Sequence, residues 1–228
     1  MHTLLLGEKN ADICLIQAVD DHDAALLDAE YALIRQKVPD VAVALFAFQA
    51  ADWNGDLSPW PALPVFGNEP FAGRAEDTLA DLLQQGLPEA QKALRPGKEH
   101  FILGGYSLAG LFALWAACRT PIFEGCAAAS PSVWFPGWVS FAETHPMQSS
   151  AVYLSLGDRE EKTRNPVMAA VGDCIRRQSA ILDEIPACRH TLQWNPGNHF
   201  RDPEKRTADA FAWCVSALLA RDRKDEYP

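Results

Sequence analysis

Ser107 sits in "GGYSLAG", between the apolar run "HFIL" and a stretch of helical period, "LFALWAACR". A strand that turns at once into a helix crowds its corner, so small residues are needed two before and two after the corner residue. Gly105 and Ala109 meet that demand, and Gly110 follows. The pattern is the nucleophile elbow, G-x-S-x-G, with alanine at its fifth position. Such a corner presents the hydroxyl in the open and aims the N–H of Leu108 at the oxygen of an attacked carbonyl. The competing reading is an ordinary N-cap, since serine is a favoured residue at helix starts.

A serine hydroxyl becomes a nucleophile only beside a base, itself oriented by a third group. Where the serine occupies an elbow, the acid and then the base follow it along the chain. Of six histidines, His2, His22 and His100 precede Ser107. His145 lies in "ETHPM", which reads as an exposed loop, and His190 opens the run "RHTLQW". His199 lies in "WNPGNHFRD", a Pro- and Gly-containing loop after that run and just before the last helix. The base should hang there. An imidazole base works deprotonated, so activity should rise with pH.

The acid should follow the preceding strand, and "AVYLSLGDREEKT" offers Asp158, Glu160 and Glu161. It must reach the far imidazole nitrogen, which favours Glu160, three residues past Gly157, then Asp158, then Glu161. A second oxyanion donor is expected after an early strand, from the N–H of Ala18 or Val19 in "CLIQAVDDHD". Trp53, Trp60, Phe66 and Trp134 fall in loops near the same edge. They read either as an aromatic substrate pocket or as caps on the core.

The elements that must carry these residues are short apolar runs alternating with helical periodicities. Strands are expected at 12–19, 41–48, 100–105, 125–130, 151–157 and 189–194, with a weaker one in "TLLL" near the start. Helices are expected at 23–35, 74–87, 108–118, 167–182 and 203–220. Near-continuous apolar strands alternating with helices imply a mostly parallel sheet covered on both faces, a three-layer α/β fold. Ligands of such sheets bind beyond the carboxyl ends of the strands, where Ser107 falls. Leu111, Trp115 and Cys118 share one helical face and read as core. The segment 49–73, rich in Pro, Gly and Trp, has no periodicity and reads as an ordered loop beside the site.

With 228 residues and about half of them apolar, the chain is expected to form one domain, 1–228. A net charge of -10 argues against nucleic acid and anionic membranes as partners. The basic run "RDRK" near the C-terminus reads as a solvated end. There is no leader-like start and no membrane-length apolar run. Six scattered cysteines without a C-x-x-C pair read as reduced thiols of a cytoplasmic protein. No metal or cofactor is expected, and no pattern speaks to oligomeric state.

With these residues in place, the chain resembles the esterase branch of the α/β-hydrolases that holds esterase D and the enterobactin-type siderophore esterases. "GDLSPWP" and "FAGRAEDTLADLLQQGLP" are similar to the segments that precede the nucleophile strand in that group. "GGYSLAGLFALW" resembles its elbow helix, "SPSVWFPGW" the segment after the next strand, "LSLGDREE" its acid loop and "GNHF" its base loop. The likeness spans most of residues 12–218. It implies a Ser107–His199–acid triad that cleaves esters or thioesters of a small molecule through an acyl-enzyme. The chain departs at Ala109, at Arg74 where glycine is frequent, and at the plain "QAVDD" turn. Two other functions fit the same residues: acyl transfer to an alcohol, and a catalytically silent fold that only binds. A Rossmann-type nucleotide site is poorer, because "GGYSLAG" lacks the G-x-G-x-x-G spacing.

Overall fold

In the computed structural model, residues 2–7 and 9–226 are described, with side chains through Arg221; the rest of "RDRK" therefore lies outside the described side chains. In chain order the elements are β1 (Thr3–Gly7), β2 (Ile13–Val19), α1 (Asp21–Lys37), β3 (Val43–Gln49), α2 (Trp53–Leu57), β4 (Pro61–Ala62) and β5 (Phe71–Ala72). A helical rod follows, in which a π-turn at Leu82–Gly86 separates α3 (Ala75–Asp81) from α4 (Leu87–Gln91). Next come β6 (His100–Tyr106), α5 (Ser107–Arg119), β7 (Phe123–Ala129), α6 (Trp138–Thr144) and β8 (Ala151–Gly157). The chain ends with α7 (Pro166–Ala169), α8 (Val171–Asp183), β9 (Arg189–Asn195) and α9 (Pro203–Glu226).

Seven strands form one sheet in the order β1-β3-β2-β6-β7-β8-β9. All pairings are parallel except β1 against β3. Alternate side chains of β2 divide between two cores. Cys14, Ile16 and Ala18 join the cluster beneath α3, α5 and α8, whereas Ile13, Leu15 and Val19 join the one beneath α1 and α9. Both faces are therefore buried, which is why the inner strands read as unbroken apolar runs. β9 closes one edge, and none of its seven residues is fully buried.

Local chemistry sets the helix starts. Asp20 caps α1 by accepting the N–H of Asp23 at 2.8 Å, with Asp21 and Asp23 in the first turn and Arg35 and Lys37 in the last. The rod at 75–91 widens just before Pro88, which has no N–H to donate and whose ring crowds the carbonyl four residues back. Segment 49–73, expected to be one loop, contains α2 and the small β4–β5 pair.

The junction of β6 and α5 is tight. Gly105 has φ +152°, and a Cβ added there would lie 2.6 Å from Cβ of Ala109. The alanine at the fifth position of the elbow is thus accommodated because position 105 carries no side chain. Gly105→Ala should cost about 1–3 kcal/mol of stability through this overlap. Denaturant unfolding measures it, and a midpoint equal to wild type would show that the corner has slack.

Candidate active site

The corner leaves Ser107 at φ +57°, in the left-handed region that residues with a side chain seldom adopt. Ser107 is the first residue of α5, and neither it nor Tyr106 provides a side-chain cap to the helix. The N-cap reading therefore fails. Its hydroxyl faces outward instead: Oγ lies 3.0 Å from Nε2 of His199 and 3.3 Å from Oγ of Ser132. Leu108, next along, belongs to the first turn of α5, whose backbone N–H groups have no partner within the helix.

His199 is carried by the loop after β9, and its Nδ1 lies 2.7 Å from Oε2 of Glu160. Glu160 begins a short 3-10 turn after β8 and is buried. Its other oxygen, Oε1, accepts the N–H of Gly157 (2.7 Å), the hydroxyl of Ser130 (2.8 Å) and Nη1 of Arg206 (3.0 Å). Burial alone would raise this carboxyl, but its hydrogen bond to His199, the charge of that ring and the Gly157 and Ser130 donors outweigh it. The result lies below the usual glutamate range, so Glu160 is a carboxylate at neutral pH.

Arg206, in the first turns of α9, joins the acid loop to the base loop. Its side chain is 3% exposed. Nη1 donates to Glu160, to the Tyr106 phenol oxygen (3.1 Å) and to Ser130 Oγ (3.2 Å); Nη2 donates to the carbonyls of Pro196 and Asn198, both at 3.1 Å. Tyr106 in turn donates to the carbonyl of His199 at 2.6 Å. Burial pushes the Tyr106 phenol up to about 12, so it keeps the proton it donates. One planar guanidinium thus ties together the acid, the loop that carries the imidazole and the strand that ends at the serine.

The structure brings Ser107, His199 and Glu160 into one continuous chain of contacts. It does not bring Asp158 or Glu161 there. Asp158 accepts the N–H of Gly197 at 2.8 Å and so braces the base loop from outside, while Glu161 pairs with Arg176 at 3.2 Å. The carboxylate immediately after Gly157 leaves the strand too early to turn back on the imidazole. Val19 is buried at the end of β2, the strand paired beside the one that ends at Ser107, and Asp20 caps α1 immediately after it with no glycine turn between.

A cavity of about 380 Å³ opens beside His199. Its lining mixes the apolar side chains of Trp134, Met168, Val171 and Phe200 with the polar ones of Arg159, Lys162 and Thr163. Of the tryptophans expected there, only Trp134 lines it. Trp60 packs on Phe135 and Phe141 and donates its indole N–H to the carbonyl of Pro136 at 2.9 Å; Trp53 starts α2, packed against the core. These two rings fill the space under their loop, where an indole finds both apolar contact and an acceptor. Phe66 stands between these roles, half exposed and edge-on to Trp134. Ser130, Ser132, Phe200 and Arg206 escaped the sequence reading. "SPS" directly after β7 was the available signal, because that strand ends at the same edge as the elbow.

The sheet, its strand order and the elbow decide the architecture. The chain has the α/β-hydrolase fold. Structural comparison agrees with an IroE-like serine hydrolase from Shewanella oneidensis, at a TM-score of 0.75 and 14% identity over 92% of this chain and 74% of that one. The siderophore hydrolase EstA from Aspergillus nidulans aligns at a TM-score of 0.66 and 21% identity, over 93% of this chain and 84% of its own. The enterobactin hydrolase IroE in complex with DFP gives 0.63 and 18%, over 92% and 83%. No family model matches the chain, and no curated protein matches it significantly. Among the described residues no helix is long and apolar enough to cross a membrane.

Proposed function

We propose that this protein is a serine esterase that cleaves carboxylic esters or thioesters of a small molecule through an acyl-enzyme. The observation that carries the reading is the unbroken relay from Ser107 Oγ through the His199 ring to the buried, ionised Glu160. Ser107 Oγ attacks the carbonyl carbon as Nε2 of His199 takes its proton, and Glu160 stabilises the imidazolium that forms. The N–H of Leu108 donates to the oxyanion, where preorganised donors contribute most to the rate. His199 then protonates the leaving alcohol or thiol. A water molecule repeats the sequence in reverse roles and releases the acid. The neighbours named as serine, siderophore and enterobactin hydrolases support this chemistry, and a siderophore-type lactone is one substrate it would accept.

The remaining side chains fit that scheme. Asp158, Tyr106 and Arg206 hold the base loop, and Trp134 forms part of the acyl or alcohol wall. All six cysteines are free and five are buried, which suits a reducing, cytoplasmic setting.

A fluorophosphonate should label the protein once, on Ser107, as read by intact mass and peptide mapping. Protection by an added short ester would tie the label to the site. Absence of labelling, or labelling elsewhere, would remove the esterase reading and leave a binding module.

A further inference from the structure

The chain carries a net charge of -10, so its long-range field repels anions. The cavity beside His199 has the opposite local character. Three ionisable side chains besides His199 line it: Glu160, Arg159 and Lys162. The carboxylate of Glu160 is fully engaged by His199, Arg206, Ser130 and Gly157. The adjoining acids are turned away, Asp158 onto the N–H of Gly197 and Glu161 onto Arg176. Arg159 and Lys162 are exposed, and among the described residues neither side chain has an ion pair or hydrogen bond. Elsewhere on the surface, Arg74, Arg119, Arg177 and Arg221 each lean on a carboxylate. Two uncommitted cations in an acidic protein thus stand at a cavity that reaches the candidate nucleophile's base.

Trp134, Met168 and Phe200 line the same cavity, the last 86% exposed. An aromatic ring left in water at the lip of a cavity is apolar surface awaiting a partner. The volume equals that of roughly a dozen water molecules, which suits an acid the size of a phenylalkanoate rather than a polymer. Any anion held there lies well within a Debye length, about 8–10 Å, of both cations, so screening does not erase their pull.

We infer that the site selects esters whose apolar or aromatic part carries an anionic group, read by Arg159 and Lys162. This rests on the esterase reading for its chemistry but not for its binding. The charged group is a carboxylate or another small oxyanion on the substrate, and the aromatic lining takes the portion between it and the ester. In a half-enclosed cavity, such a pair of cations is worth about tenfold in selection at moderate ionic strength.

Two measurements test this. In the first, kcat/KM is compared for mono-p-nitrophenyl glutarate and p-nitrophenyl pentanoate, which match in length and differ in charge. The glutarate should lead by about tenfold, and its lead should shrink as salt shortens the Debye length. Arg159→Gln with Lys162→Gln should remove that lead, read as the ratio of the two substrates. In the second, calorimetry follows phenylbutyrate and phenylbutyramide binding to the Ser107→Ala protein, where no turnover is needed. The acid should bind about tenfold tighter. Replacing both cations by glutamate should reverse the order and favour phenylbutylamine. Anion preference in binding without turnover of either ester would uphold this inference and overturn the esterase reading. Turnover with a ratio untouched by the double substitution would do the opposite.

Discussion

Ser107→Ala should lower kcat for p-nitrophenyl acetate by roughly 100,000-fold, because the relay has lost the atom that forms the acyl bond. His199 and Glu160 remain, yet they act only as a unit with the hydroxyl, so their presence rescues little. The residual rate would come from the Leu108 amide and from binding alone. Stability should stay within about 0.5 kcal/mol of wild type, since alanine carries the same Cβ through the same φ of +57° and the hydroxyl caps nothing. Steady-state kinetics beside a thermal melt read both numbers. Full activity in this variant would dismiss Ser107 as nucleophile, and a collapsed melt would make the loss uninformative about chemistry, in which case Ser107→Cys supplies the matched comparison.

Arg206→Met should have the largest effect on stability, about 3–5 kcal/mol, because it leaves the Glu160 carboxylate buried without its cation. It also frees the carbonyls of Pro196 and Asn198 and removes one partner of the Tyr106 phenol, so the loop that carries His199 loses one of its three tethers, keeping Tyr106 and Asp158. Activity should fall further than stability explains at a temperature where the variant is still folded. The pH dependence gives the sign. In the wild type the Glu160 carboxyl lies below its usual value, so its contribution is present above the unfolded value and fades as pH falls through the folded one. The stability gap between wild type and variant should therefore be widest near neutral pH and narrow toward strong acid, where both carboxyls are protonated. Arg206→Lys should recover part of the stability and little of the activity: one ammonium cannot span acid, phenol and two carbonyls as the planar fork does. A gap independent of pH, measured by denaturant titration across the acid range, would show that Arg206 acts by packing alone.

Much of the architecture was readable because each signal had a single physical source. The inner strands are buried on both sides, so β2, β3 and β8 read as plain apolar runs. Ser107 was readable from the small residues its corner demands, and His199 from its place between the last strand and the last helix. Glu160 was separable from Asp158 by reach alone, and the contacts agree with that order. What stayed hidden depends on direction, which composition does not encode. Trp53, Trp60 and Trp134 look alike as loop tryptophans; only the fold decides that one faces the cavity and two face the core. Arg206 resembles any arginine in the first turn of an amphipathic helix until the helix is docked and its guanidinium meets three separate loops and the end of β6.

The edge position of β9 carries a final consequence. The imidazole is carried just past an edge strand none of whose residues is fully buried, whereas the serine rises from the middle of the sheet. The two halves of the relay therefore belong to regions of unequal cooperativity. Local opening of the β9 edge, detectable as early amide exchange, would abolish the proposed activity while the rest of the sheet stays protected. The proposed activity would then last only as long as this margin and the Arg206, Tyr106 and Asp158 contacts that fasten it hold.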